Sequence, residues 1–291
     1  MIELNNQYLR VLISETGGKM QSIYGKKTDT EYLWQGDPAY WKGTAPNLFP
    51  FIGRLFGERY LLNGKSYDMK IHGFLSSQPM QVLAQEPDSV VLVAEDTEQT
   101  MAVYPYRFRL QLSYRLVEKT LHIAFSIQNG SKCTLYFGIG GHPGFRVPME
   151  DGLNFSDYSL SFDTACEPKL IEFSKDVLCT GVRTPYPLQQ GRMLPLKHDL
   201  FNQDAIVLAD APRKVTLSST KGSRGVCVSY PQMPYIGFWH TPNTDASFLC
   251  IEPWSMLPGR EGVTEELSRM ADVCSVDPGG QAENNWSICV F

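Results

Sequence analysis

The chain has 291 residues, 43% of them hydrophobic and 20% charged, with a net charge of −5 and a pI near 5.6. That composition suits a globular protein with a sizeable core, and without a basic stripe it argues against a nucleic-acid partner. No apolar run approaches the length of a membrane span, Met1–Arg10 lacks the apolar segment of a signal peptide, and seven scattered cysteines without a C-x-x-C predict a reducing cytoplasm.

Taken along the chain, the dominant pattern has period two, which is the signature of half-buried strands. Tyr8–Ile13 is the first strand candidate. Tyr60-Leu61-Leu62, Asn63-Gly64 and Tyr67 read as a hairpin, and Ser89–Ala94 as a strand. Phe108, Leu110, Leu112, Tyr114 and Leu116 share one face; beyond the polar break Glu118-Lys119, so do Leu121, Ile123, Phe125 and Ile127. Asn129-Gly130 followed by Leu135, Phe137 and Ile139 predicts that this run continues as a meander through an Asn-Gly turn. Lys214–Ser218, Gly225–Ser229, Phe248–Pro253 and Trp286–Phe291 are further strands. Helical signal is confined to Thr264–Ala271, with Thr264 as its cap, and the nineteen prolines argue against long helices. No linker, repeat or low-complexity stretch interrupts the chain. The expectation is an all-β fold, a large antiparallel β-sandwich with few short helices, in one domain spanning residues 1–291.

Against this background five short segments carry unusual polar chemistry: Phe49-Pro50-Phe51-Ile52-Gly53-Arg54, Lys70-Ile71-His72-Gly73-Phe74, Gly140-Gly141-His142-Pro143-Gly144-Phe145, Asn202-Gln203-Asp204-Ala205 and Leu249-Cys250-Ile251-Glu252-Pro253-Trp254. His142 follows an alternating apolar run and is flanked by glycines that let the backbone turn and a ligand approach. Its pattern is open between a proton-exchanging group and a histidine satisfied by backbone. Glu252 lies in a strand apolar on both faces, where a carboxylate is costly unless paired or functional. It is open between a base with raised pKa and a buried ion pair, for example to Arg54.

The other polar candidates carry less signal. Arg54 is either a clamp for hydroxyls or carboxylates or a solvated arginine. His72 and Asp204 are weak by themselves, and Asp204 also suits a turn. Trp34, Trp41 and Trp239 are candidate stacking platforms or core residues; His122 and His198 read as structural or exposed, and His240 is ambiguous. No H-E-x-x-H or H-x-H indicates a metal, no glycine loop a phosphate cradle, and no Gly-x-Ser-x-Gly a nucleophile elbow.

In order, Gly53-Arg54, His72-Gly73, Gly141-His142-Pro143, Gln203-Asp204 and Ile251-Glu252-Pro253 resemble the aldose 1-epimerases, or galactose mutarotases. Leu48-Phe49-Pro50 and Glu252-Pro253-Trp254 are similar to the LacX-type branch. The likeness runs from about Tyr8 to the last strand. It implies a supersandwich with an open cleft on one sheet. It also implies that Glu252 takes the proton of the anomeric hydroxyl while His142 protonates the ring oxygen. His72 would hydrogen-bond the ring or C1 oxygen, Arg54 and Asp204 would fix other hydroxyls, and no cofactor or metal is required.

A free aldose is the implied substrate, and a monomer or homodimer without nucleic-acid or membrane partners is expected. The chain departs from the best-studied mutarotases at Gly53, where they carry Asn, at Gly144, where they carry an aromatic, and at Trp254, where glutamine is usual. These positions leave the sugar open. Three rivals remain. A hexose-6-phosphate 1-epimerase would need cations among Arg54, Lys70, Arg146 and Arg260; a non-catalytic sugar-binding protein would need no acid–base pair; a glycosidase would pair Asp204 with Glu252.

Overall fold

A computed structural model describes residues 1–291. The alternating segments become strands because each can bury one face and leave the other to water. Phe108–Val117 and Thr120–Asn129 pair residue for residue from Phe108 with Asn129 to Val117 with Thr120. They sit near the middle of a nine-stranded sheet. In spatial order its strands are Met193–Pro195, Tyr158–Phe162, Lys214–Ser219, Gly225–Ser229, Gln281–Val290, Thr120–Asn129, Phe108–Val117, Ser89–Glu95 and Gln81–Glu86.

An eight-stranded sheet runs Cys179–Pro185, Lys169–Phe173, Ile206–Ala209, Tyr235–Trp239, Phe248–Trp254, Gly140–Gly141 and Asn47–Leu48, with Gly144–Arg146 also paired to Phe248–Trp254. Every pairing between these strands is antiparallel. The two large sheets pack face to face: the rings of Phe162 and Phe238 lie 6.4 Å apart, and Trp286 packs so tightly on Gly141 that a Cβ there would come within 2.5 Å of its ring. A hydrophobic cluster of 74 buried residues runs from Ile2 to Val290. The antiparallel sandwich expected from the alternation is present.

A four-stranded sheet of Ile2–Asn5, Leu9–Ile13, Met20–Gly25 and Thr30–Glu31 joins this body through buried Asn47. Asn47 donates to the carbonyls of Gly17 and Gly18 and to the hydroxyl of Tyr114, tying three distant segments together.

Two local expectations are corrected. Asn129-Gly130 is no hairpin. The Asn129 side chain accepts from the Ser131 N–H and donates to the carbonyls of Cys133 and Val276, making a corner. The chain leaves the sheet there, and Leu135–Phe137 pairs with Cys274–Val276. The tight turn is instead at Glu118-Lys119, with Glu118 at φ 52°.

Thr264–Ala271 is not an α-helix either; it holds only a single 3₁₀ turn, Leu267–Arg269. Its backbone and side chains are claimed elsewhere. Leu61 donates to the Glu265 carbonyl, and the Glu266 carboxylate accepts from the N–H groups of Asn63 and Gly64. The α-helix is Glu98–Val103, capped by Thr97 and too short to show a period. Asn63-Gly64 does form its hairpin, both residues at positive φ. No helix is long and apolar enough to cross a membrane.

Candidate active site

The site lies on the eight-stranded sheet, where the segment from Gly140 to Arg146 runs beside Phe248–Trp254. The pairs Gly140–Trp254 and Gly144–Cys250 flank His142 and set it directly across from Glu252. Cross-strand neighbours share a face, so the two side chains must meet. His142 Nε2 stands 3.3 Å from Glu252 Oε2. The contact is not aligned as a hydrogen bond, and both Glu252 Oε2 and His142 Nδ1 are buried without hydrogen-bond partners. Gly144 leaves the space beside His142 to Trp41, whose ring stacks on the imidazole at 5.0 Å and 24°. A Cβ at Gly144 would come within 2.8 Å of that indole.

His72 reaches the same place from a different loop. Its ring meets His142 edge-on at 5.4 Å. The Gly53 N–H donates to His72 Nδ1 at 3.0 Å, and the His72 N–H donates to the Gly53 carbonyl. Because Nδ1 is an acceptor, a neutral His72 carries its proton on Nε2 and presents a donor. The loop depends on close backbone approach. Gly53 has φ 63° against Pro258; Gly73 has φ 75°, and a Cβ there would lie 2.2 Å from the Phe49 carbonyl oxygen.

A cavity of about 340 Å³ brings the pieces together. Arg54, His72, His142, Asp204 and Glu252 all line it, with Trp41, Trp239 and Trp254 among its aromatic walls. Five positions spread over some 200 residues of sequence therefore face one space. Asp204 also makes its turn: it has φ 77°, and its Oδ1 accepts from the Ala205 N–H. Arg54 is exposed and forms no ion pair with Glu252.

Electrostatics follow from burial. Burial, reinforced by Asp204, pushes the Glu252 carboxyl well above the usual carboxylate range. The indole N–H of Trp254 opposes this in part, although no well-formed hydrogen bond joins them. Burial also lowers the pKa of His142, and nearby His72 adds to the effect. His72 keeps part of its surface open, yet its ring is deep enough that burial, then Arg54, lowers it to about 4. The cavity therefore favours uncharged forms of all three groups.

Residues 1–270 match the family model described as Aldose 1-epimerase. The chain belongs to the aldose 1-epimerase family. Among curated relatives of this family member, Protein LacX, plasmid, from Lactococcus lactis subsp. lactis is 34% identical, covering 100% of this chain and 99% of that protein. Two solved structures have closely similar folds. The galactose mutarotase related enzyme from Lactobacillus acidophilus has a TM-score of 0.94 at 30% identity, covering 100% of this chain and 97% of that one. A galactose mutarotase-like protein from Lactobacillus casei ATCC 334 has a TM-score of 0.95 at 26% identity, covering 100% of both.

For this aldose 1-epimerase family member, the tryptophans divide. Trp41 and Trp239 line the cavity, while Trp34 packs on Phe248 at 4.9 Å, away from it. His240 is fully buried, bonded to the Thr241 carbonyl and to His198; His122 is exposed on a strand. Trp254, left without a role by the sequence, has its indole N–H buried near Glu252. The stacking of Trp41 on His142 had no sequence signal, since a tryptophan under a histidine and one in the core look alike in one dimension.

Proposed function

We propose that the chain is an aldose 1-epimerase in activity, interconverting the anomers of a free aldose with Glu252 and His142 as its acid–base pair. The whole of residues 1–291 works as one domain on this reading. The observation that carries it is the cross-strand contact of His142 with Glu252 in the wall of a cavity. Two unpartnered polar atoms there need hydroxyl-rich company.

The pair holds one mobile proton. Carboxylate plus imidazolium and carboxylic acid plus imidazole have the same net charge, so burial does not forbid either. With a pyranose seated between them, Glu252 takes the proton of the anomeric hydroxyl and His142 gives one to the ring oxygen. The C1–O5 bond breaks, C1 becomes an aldehyde, and both side chains end uncharged. Burial makes the ion pair the minor form of the couple and the uncharged pair the form on which the first transfer ends. Rotation about C1–C2 and the reverse transfers close the other anomer. The Nε2–H of His72 is a neutral donor for an oxygen of the reacting end. Arg54 and Asp204 hold more distant hydroxyls, and Trp41 and Trp239 offer faces to the ring.

A free sugar fits better than a phosphorylated one. Of four cations considered for a phosphate, only Arg54 lines the cavity. Arg260 is bound to Glu265 at 2.7 Å, and Lys70 and Arg146 are exposed elsewhere. A glycosidase pairing of Asp204 with Glu252 would leave His142, 3.3 Å from Glu252, without work. The seven free cysteines fit a reducing, cytoplasmic setting. Polarimetry or NMR exchange across aldoses and their 6-phosphates tests the reading. Acceleration of free-aldose anomerisation is expected. Sugar binding without acceleration would replace it with a binding function, and acceleration restricted to the 6-phosphates would overturn the free-sugar assignment.

A further inference from the structure

Cys250 takes no part in the scheme above. It sits two residues from Glu252 on the Phe248–Trp254 strand, so both side chains point to the same face. A ligand atom from each of His142, Cys250 and Glu252 lies within 4.8 Å of the others, and all three residues are buried. No other His, Cys, Asp or Glu trio in the chain comes this close.

The donor set is an imidazole nitrogen, a thiolate and a carboxylate. That mixture suits a borderline-soft divalent ion such as Zn²⁺ and suits Mg²⁺ or Ca²⁺ poorly. Charge points the same way. A buried thiolate and a buried carboxylate together carry two negative charges, and one divalent cation brings the site to neutrality.

Geometry is close to what tetrahedral zinc requires. Bonds of 2.0–2.3 Å set ligand atoms about 3.3–3.7 Å apart. His142 Nε2 and Glu252 Oε2 are already at 3.3 Å. Cys250 Sγ needs to move by at most about 1 Å to join them. Glu252 Oε2 has no hydrogen bond to give up. His142 and Glu252 line the cavity, so a fourth position would open toward the space proposed for the sugar.

We propose that His142, Cys250 and Glu252 form an inhibitory site for Zn²⁺ or a similar borderline divalent ion. The ion displaces the proton of the Cys250 thiol and any proton on Glu252, and takes a lone pair of neutral His142. Binding therefore releases protons and strengthens as pH rises. It also occupies the two groups proposed to move the sugar's protons. Metal binding is independent of the proposed activity; only the inhibition rests on it.

The test uses the full chain, with Cys250→Ser and, as a second thiol-free variant, Cys250→Ala. Zn²⁺ is titrated calorimetrically, Co²⁺ spectroscopically, and anomerisation is followed with Zn²⁺ at several sugar concentrations. Wild type is expected to bind one Zn²⁺, to show a cobalt–thiolate charge-transfer band, and to be inhibited competitively with sugar. Both variants should lose the band and bind Zn²⁺ at least about tenfold more weakly, while metal-free anomerisation stays near wild type. An absent band, or variants that bind Zn²⁺ as tightly as wild type, would overturn the site. Metal binding at the site in a chain that anomerises no sugar would uphold the site and sink the proposed function instead.

Discussion

Gly237 lies directly opposite Glu252 in the ladder joining Tyr235–Trp239 to Phe248–Trp254. Glu252 therefore has a histidine across one flank and no side chain across the other. A Cβ at position 237 would sit 3.4 Å from the Cβ of Glu252. The carboxylate is confined by backbone and by His142, with room to turn toward the cavity.

Replacing Glu252 by glutamine keeps the shape and removes the proposed proton acceptor. Glu252→Gln should lower anomerisation by about 10²–10⁴-fold, the usual worth of a positioned acid or base. Its far-UV circular dichroism should match wild type. Retention of near-normal rates by polarimetry would remove Glu252 from the mechanism.

His72 tests substrate positioning. Asparagine tolerates the left-handed backbone found there at φ 63° but cannot place a donor where His72 Nε2 stands. His72→Asn should raise KM by roughly tenfold, about one hydrogen bond's worth, with a smaller change in kcat. An unchanged KM would mean that the ring does not touch the sugar.

The loop that holds His72 makes its own demand. Gly73→Ala places a methyl within contact of the Phe49 carbonyl at a positive φ, and Gly53→Ala places one against the Pro258 ring. Both should destabilise by about 1–3 kcal/mol. Gly73→Ala should be the worse, because backbone yields less than the edge of a proline ring. Denaturant midpoints measure both; equal stability with wild type would contradict the close approach.

Stability should also depend on pH through His240. Burial lowers its pKa to about 4, opposed by its bond to Thr241 and reinforced by His198. The unfolded chain binds this proton near pH 6.5 and the folded chain does not. Its contribution is therefore present above about pH 6.5 and is lost as pH falls toward 4, by up to about 1.4 kcal/mol per pH unit. His240→Gln should flatten that part of the urea-midpoint profile between pH 6.5 and 4. A slope identical to wild type would show that His240 is charged in the folded state.

How much of this could be read in one dimension depended on the kind of contact. Phe108–Val117, Thr120–Asn129 and Gly225–Ser229 were legible because alternation records burial directly. Asn129-Gly130 misled because its side chain bonds to Val276, a partner 147 residues away. The Thr264–Ala271 helix failed for the same reason, the Glu266 carboxylate being bound to the distant Asn63 and Gly64.

At the site, residue types were legible and proximity was not. His142 and Glu252 stood out as polar groups in apolar strands, but their opposition follows from a register that no local pattern encodes. Alternation alone puts Cys250 on the face of Glu252, but its approach to His142 comes from the register.

The joint made by Asn47 has a consequence for the order of folding. His142 is held by the carbonyl of Pro46, beside an asparagine that needs Gly17, Gly18 and Tyr114 in place, while the neighbouring Gly141 is backed by Trp286. Segments from both ends of the chain must therefore converge before the imidazole meets its carboxylate. Contacts so distant in sequence are slow to close. A collapsed intermediate can have most of its strands and still lack this meeting, so regained sugar turnover during refolding would time the last step of assembly, after the spectroscopic signal of sheet has recovered.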